Sequence, residues 1–158
     1  MLVAIISLVA TPAFADATAD AKAHSEAFAR AVNTGDAKVT LALYSDNARV
    51  IWPGQGDEAN GKAEIEKLIV NTMKAFPGAK MTLKMQEAIP LGNGYIATIG
   101  KWEMLFKGQD RKVQTMEIRT SEVIKKQGRR TVYVIDHTSV GLPPPARKGA
   151  TGTSPAPK

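Results

Sequence analysis

The chain has few side chains that could support covalent or metal-dependent chemistry. It contains no cysteine and only two histidines, His24 and His137, which fall in separate predicted elements. Thiolate chemistry needs a cysteine, and a hydrolytic zinc needs three protein ligands, usually with more than one histidine. No glycine-rich phosphate-binding loop follows a strand pattern. The sequence therefore predicts neither a metal site nor a bound cofactor.

The best candidates for acid–base or electrostatic chemistry are His137 and Arg119. A histidine changes protonation near neutral pH, and a guanidinium can stabilise an anion. Strand alternation predicts two sets of residues that each share a side: Glu117, Arg119, Ser121 and Val123 on one strand, and Tyr133, Ile135, His137 and Ser139 on the next. If Arg119 and His137 point inward, they meet Trp52 and Trp102 in one cavity.

Each of these candidates also has a structural interpretation. A half-buried arginine needs a partner, and Glu117 could form an ion pair with Arg119. His137 could be a hydrogen-bonded residue at a strand end, and the two tryptophans could be core residues. Asp136 is predicted to face away from His137, as a turn or edge residue. Ligand binding and structural pairing both remain open for Arg119.

Three predicted helices precede the strands that must position these side chains. Apolar residues at helical spacing predict a helix over 16–33, which Gly35 ends, and Asp36 can cap a short second helix. A strand over 48–52 stops at Pro53, and a polar loop over 55–61 follows. A third helix is predicted over 62–76, where a Pro-Gly pair ends it.

Beyond residue 80 the apolar pattern changes to a period of two. Strands are predicted from about residue 81, over 95–106, over 112–126 and over 131–140, with tight turns such as Asn93-Gly94 between them. One face of the 95–106 strand is predicted to be interior: Ile96, Thr98, Trp102, Met104 and Phe106. This order predicts an α+β domain in which a curved antiparallel sheet wraps the long helix.

The order of elements from Phe28 to Ile69 resembles the first half of the NTF2-like superfamily, which includes the SnoaL-like proteins and ketosteroid isomerase. The resemblance is carried by the Gly35-Asp36 turn, the YSDNARV strand from Tyr44 and the Pro53-Gly54 loop. It implies a cone-shaped fold with three N-terminal helices packed in a curved antiparallel sheet, around a cavity.

The catalytic residues of ketosteroid isomerase do not carry over to the matching positions. This chain has Phe28 in place of the tyrosine that donates to the oxyanion, and Trp52 in place of the aspartate base. A looser alignment places Arg119 at the protonated aspartic acid. Phenylalanine has no donor and tryptophan cannot abstract a proton, so the resemblance implies the scaffold without this enolisation chemistry.

The C-terminal strands resemble the last hairpin of the SnoaL-like proteins grouped as DUF4440. The similar run extends from Arg119 through Gly128 to Ser139 and includes a His-x-Ser element at His137. In that group an arginine on the preceding strand faces the cavity. The resemblance implies a ligand pocket lined by Phe28, Tyr44, Trp52, Trp102, Met104, Glu117, Arg119 and His137.

The two ends of the chain differ from the predicted domain over 16–141. An apolar run over 2–10, followed by Pro12 and an Ala-Phe-Ala site, is typical of a secretory signal peptide over 1–15. Cleavage after Ala15 would start the mature protein at Asp16 and predicts a periplasmic or secreted location. The segment over 142–158 is rich in proline, glycine and lysine without apolar periodicity, which predicts a disordered tail.

The net charge of +6 could suggest an anionic partner. Acidic residues such as Glu103 and Glu122 interrupt the basic residues, however, and no aromatic side chains alternate with the cations. We therefore expect no nucleic-acid partner, and no membrane association after leader cleavage. Met116, Ile118 and Ile124 are predicted to form an apolar row on the outer sheet face, which predicts a homodimer.

Three functions are compatible with this sequence. The first is a binding module that holds a small, partly apolar molecule, an anionic one included, in a conical cavity. The second is an enzyme of isomerase, cyclase or hydrolase type that uses His137 and Arg119. The third is a dimeric interaction domain.

Overall fold

The computed structural model describes residues 12–53, 58–108 and 110–141. Most of the predicted leader (residues 1–11) and the predicted tail over 142–158 lie outside the described residues. Within the described residues, no helix combines the length and apolar character needed to span a bilayer.

Three helices are present: α1 (Pro12–Thr34), α2 (Ala37–Leu41) and α3 (Lys62–Ala75). Helix α1 begins four residues before the prediction, because proline fits the first turn of a helix and alanine favours helix. Gly35 lies between α1 and α2 with a φ of 72°. The Asp36 side chain caps α2 by accepting hydrogen bonds from the backbone N–H groups of Lys38 and Val39.

Six strands form one sheet: β1 (Tyr44–Ile51), β2 (Glu58–Asn60), β3 (Lys80–Gly92), β4 (Tyr95–Lys107), β5 (Val113–Gln127) and β6 (Arg130–Val140). Their order is β2-β1-β6-β5-β4-β3, and every pair is antiparallel except β1 with β6. Strand β2 was not predicted, because its three residues, two of them polar, fall within the predicted loop over 55–61. Its pairing with β1 extends the sheet beside the start of α3.

The helices pack against the inner face of this curved sheet, and the predicted α+β, NTF2-like architecture is confirmed. Polar side chains help to join α1 to β3. The Asn33 side chain donates to the Met81 carbonyl and accepts from the Met81 N–H at 2.6 Å. The predicted inner face of β4 is also confirmed, since Ile96, Thr98 and Trp102 are buried.

The predicted orientation of β5 is wrong. Ile118 and Ile124 are buried on the inner face and Met116 is half-buried, whereas Glu117 and Arg119 are exposed on the outer face. Alternation requires the two sets to face opposite ways, and burying the apolar set is favourable. The outer apolar row predicted from these three residues is therefore absent.

Strand β6 contains a β-bulge that its sequence pattern does not reveal. Ile124 pairs with Tyr133 and Val123 pairs with Ile135, so Val134 is an extra residue in the ladder. Such an insertion shifts the alternation of the following residues to the other face of the sheet.

The bulge reverses the two predictions made for the end of β6. His137 is exposed on the outer face, and Asp136, predicted to lie at a turn or edge, is buried at 3% exposure. Tyr133 and Asp136 therefore both face inward, although three positions separate them.

Candidate functional site

A cavity of about 1010 Å³ lies between the inner face of the sheet and helices α1 and α3. Apolar side chains make up most of its wall, including Phe28, Val32, Trp52, Leu68, Ile69, Phe76, Met81, Trp102, Met104, Met116, Ile118 and Val140. This volume is at the upper end of the range for small-molecule sites, which are usually mostly apolar with a few placed polar groups.

The two acidic groups of the cavity form one row with Thr98 across three strands. Thr98 on β4 pairs with Glu122 on β5, and Glu122 pairs with Asp136 on β6. Directly paired residues on one face have Cβ atoms about 4.5–5.5 Å apart. Glu122 and Asp136 both line the cavity and both are buried, so the fold brings two carboxyl groups together in an apolar enclosure.

Asp136 accepts hydrogen bonds from three side chains. The Tyr44 hydroxyl donates to Oδ2 at 2.6 Å and the Trp52 Nε1–H donates to the same oxygen at 2.9 Å. The Thr138 hydroxyl donates to Oδ1 at 3.2 Å. Burial raises the pKa of Asp136, and these three donors act against the increase by stabilising the carboxylate.

Glu122 has weaker support for a negative charge. Burial, and next the charge of Asp136, raise the pKa of Glu122 to about 8. Thr98, 2.6 Å from Oε2, opposes the increase. Thr120 opposes it as well, through a contact that falls short of regular hydrogen-bond geometry.

The raised pKa of Glu122 favours the retention of one proton by this pair at neutral pH. Asp136, with three donors, holds the charge, and Glu122 holds the proton, because two close carboxylates cannot both ionise without a large cost. A paired base and acid of this kind can remove a proton from a bound molecule and return one to it.

Five of the eight predicted pocket residues lie in or directly behind the cavity wall. Phe28, Trp52, Trp102 and Met104 line it, and Tyr44 lies behind it as a donor to Asp136. Trp52 therefore has a polar role that the sequence did not indicate, since it lines the cavity while its N–H donates to a carboxylate.

The other three predicted residues, Glu117, Arg119 and His137, are absent from the cavity wall because their side chains project from the outer face. The prediction that Arg119 and His137 converge on the tryptophans is wrong for this reason. The Arg119 side chain lies against Gly141. A Cβ added to Gly141 would be 2.8 Å from Nη2 of Arg119. No ion pair joins Arg119 to Glu117 in the described residues.

The sequence analysis missed Glu122 and Asp136 as site residues. A usable signal existed for Glu122, because it alternates with Ile118 and Ile124 and so interrupts an apolar face with a carboxyl group. No such signal existed for Asp136, since the bulge at Val134 breaks the period of two before it.

A second buried polar group, His24, lies on α1 outside the cavity wall. Its ring contacts Tyr133 edge-on, with centroids 4.2 Å apart. Burial lowers the pKa of His24 to about 4, although a hydrogen bond to the Thr131 backbone acts in the opposite direction. The described residues contain no group of three acidic, histidine or cysteine side chains placed to hold a metal.

The sequence profile of the SnoaL-like domain matches residues 25–138. This chain belongs to the SnoaL-like domain family. The matched range begins on α1 and ends two residues before the end of β6, so it includes both carboxyl groups and all of the described sheet except the last two residues of β6. No protein of curated function matches the chain.

Solved structures of low sequence identity share the fold of this SnoaL-like domain. A ketosteroid isomerase-like protein from Erwinia carotovora atroseptica is 18% identical, with a TM-score of 0.67 over 79% of this chain and 96% of that chain. A protein assigned as a dehydratase of the NTF2-like family from Streptomyces avermitilis is 13% identical, with a TM-score of 0.72 over 82% and 99%.

A hexachlorocyclohexane dehydrochlorinase, LinA-type3, from Novosphingobium barchaimii is 9% identical, with a TM-score of 0.71 over 84% of this chain and 92% of that chain. At these identities the similarity establishes the SnoaL-like chain's NTF2-like fold.

Proposed function

We propose that this SnoaL-like domain binds a small, uncharged, partly apolar molecule in its cavity. The proposal rests on the cavity, whose wall is mostly apolar and whose two carboxyl groups lie side by side on paired strands. An anionic ligand is disfavoured because Asp136 already holds a negative charge there and the predicted cation, Arg119, is on the outer face. The preferred ligand has an apolar body and an uncharged polar group.

Intrinsic fluorescence tests this proposal directly, because the chain contains two tryptophans and both Trp52 and Trp102 line the cavity. We expect 1-tetralone and naphthalene to change the emission saturably, and 2-naphthoate to bind at least tenfold more weakly at pH 7.5. Glu122→Gln combined with Asp136→Asn should narrow this difference by removing the negative charge. Equal affinity for the neutral and anionic probes would refute the charge argument.

The carboxyl pair supports a second candidate function, proton transfer on the bound molecule. Asp136 would remove a proton from a carbon next to a carbonyl group, and Glu122 would supply one to an oxygen or to another carbon. An isomerisation needs these two steps, and an elimination needs the proton removal together with departure of a leaving group, which Glu122 can protonate when it leaves as a hydroxyl. The dehydrochlorinase and the protein assigned as a dehydratase have this fold, which agrees with such a reaction.

Hydrogen–deuterium exchange of 1-tetralone in D₂O measures this proton transfer without knowledge of the natural substrate. We expect the protein to accelerate exchange at the carbon next to the carbonyl, and Asp136→Asn to lower the rate by at least a hundredfold. Arg119→Met is the matched control, because its side chain does not reach the cavity. A rate that Asp136→Asn leaves unchanged would contradict the assignment of the base.

We also propose that the protein is exported and that it forms a homodimer. The apolar run over 2–10 and the Ala-Phe-Ala site support export to the periplasm or medium, and the intact mass of the exported protein should correspond to a start at Asp16. A retained Met1 would contradict this.

A homodimer through the outer sheet face is supported by exposed apolar residues on three of its strands, among them Ile51 on β1, Ile135 on β6 and Ile99 on β4. Ile99→Lys with Ile135→Lys should give a monomer in sedimentation experiments. Val39→Lys, at an exposed position on α2, is the control and should leave the dimer intact. A wild-type monomer at high concentration would contradict the proposal.

A further inference from the structure

Trp102 carries a buried hydrogen-bond donor that the fold does not use. The residue is 1% exposed and lines the cavity, yet its Nε1–H has no hydrogen-bond partner in the described part of the chain. Buried polar groups in proteins are nearly always paired, because an unpaired donor has lost its bond to water without replacement. The other tryptophan, Trp52, does have a partner in Asp136.

A second polar atom, the hydroxyl of Thr120, lies beside this donor. Thr120 is 6% exposed and lines the cavity, and its Oγ1 also lacks a regular hydrogen bond among the described residues. Thr120 is directly paired with Gly100 on β4. A Cβ placed on Gly100 would lie 2.6 Å from this hydroxyl and 3.0 Å from Trp102 Nε1. A side chain at position 100 would therefore displace the Thr120 hydroxyl and crowd the Trp102 N–H.

We propose that Trp102 and Thr120 form, above Gly100, a subsite that binds an uncharged carbonyl oxygen of the ligand. Because position 100 has no side chain, both polar atoms can lie within 3.0 Å of a single point beside its backbone. The indole N–H can only donate and the hydroxyl can donate, so an acceptor with two lone pairs satisfies both. The inference rests on the proposed function, because the subsite belongs to the same cavity.

The position of this subsite selects a neutral acceptor. Gly100 and Thr120 lie two residues along their strands from Thr98 and Glu122, a separation of about 6.7 Å on one face. A carboxylate bound here would be repelled by Asp136, whereas a ketone would not.

The ketone 1-tetralone and its methylene counterpart tetralin form a matched pair of probes for this subsite. The two differ only at the oxygen, and both offer the same bicyclic body to the apolar wall. The protein's two indole N–H groups give two resonances in a proton–nitrogen NMR spectrum. Trp52→Phe, used for assignment only, identifies the remaining resonance as that of Trp102.

We expect 1-tetralone to move the Trp102 indole proton downfield, as hydrogen bonding to a carbonyl does, and tetralin to leave it without that shift. Trp52, already bonded to Asp136, is the internal reference. The ratio of the 1-tetralone affinity to the tetralin affinity should also fall roughly threefold to tenfold in Thr120→Val and in Gly100→Ala. Thr120→Val is nearly isosteric, so this result does not depend on a disruptive core substitution.

Met116→Leu is the matched control, since Met116 lines the cavity but is not adjacent to Gly100 in the ladder. It should change both affinities by the same factor. Suppose that both probes bind, that they shift the Trp102 indole resonance equally, and that their affinity ratio is unchanged in Thr120→Val and Gly100→Ala. The subsite is then refuted, and the proposed binding function is not. If neither probe binds, both the subsite and the proposed function are refuted.

Discussion

Glu122 and Asp136 occupy directly paired positions on β5 and β6, and both side chains are buried on the inner face of the sheet. The two carboxyl groups are supported unequally. Three side-chain donors contact Asp136, whereas Glu122 is bonded by Thr98. This inequality assigns the charge to one residue and the proton to the other, and it has consequences for stability and binding.

The stability of the protein should fall as the pH rises from about 4.5 to about 8, through the contribution of Glu122. Its pKa is raised in the folded state to about 8 from the ordinary 4.5, so the folded state binds more protons in this window and loses stability as they are released. The contribution is up to about 5 kcal/mol at 1.36 kcal/mol per pKa unit.

Urea unfolding of wild type and Glu122→Gln between pH 5 and 9 measures this effect. As the pH rises, the unfolding free energy of wild type should fall relative to that of Glu122→Gln. A constant difference over the range would show that Glu122 ionises as easily in the folded protein as in the unfolded chain.

His24 should produce the opposite dependence at lower pH. Its pKa is lowered from 6.5 to about 4, so the unfolded chain binds more protons between these values, and the stability due to neutral His24 is lost as the pH falls. The loss is about 3 kcal/mol by pH 4. His24→Phe should remove this component from unfolding curves measured between pH 4 and 7. The prediction is wrong if both proteins show the same slope.

Tyr44→Phe should destabilise the protein by about 1.5–3 kcal/mol, the usual contribution of a hydrogen bond to a charged group. The buried Tyr44 hydroxyl is 2.6 Å from Asp136, and its loss leaves the carboxylate with one donor fewer. Tyr95→Phe is the control, because the Tyr95 hydroxyl bonds to Lys125 in a partly exposed contact at 3.0 Å. It should change the unfolding free energy by less than about 0.5 kcal/mol. Equal losses would mean that the carboxylate does not depend on Tyr44.

Arg119→Met and His137→Gln should leave probe binding and its pH dependence unchanged. Both side chains are on the outer face, separated from the cavity by the sheet. Fluorescence titration with 1-tetralone at pH 6 and pH 8 provides the measurement. A tenfold loss of affinity in either variant would show that the outer face acts on the site.

Local sequence was sufficient to predict the helices, most strands and the fold class. Gly35, the Pro77-Gly78 pair and the Asn93-Gly94 turn punctuate the chain through backbone preferences that do not depend on distant residues. The inner face of β4 was also predictable, because Ile96, Trp102 and Met104 form a clear apolar alternation.

The identity of the polar site residues was decided by the tertiary structure. One extra residue at Val134 moves Asp136 to the inner face and His137 to the outer face, and its position depends on how β6 pairs with β5. On β5 the local pattern predicts that Arg119 and Ile118 point to opposite faces of the sheet. It does not indicate which of these faces the helices cover. A period of two defines two faces of a strand, and only packing against α1 and α3 determines which of them encloses a cavity.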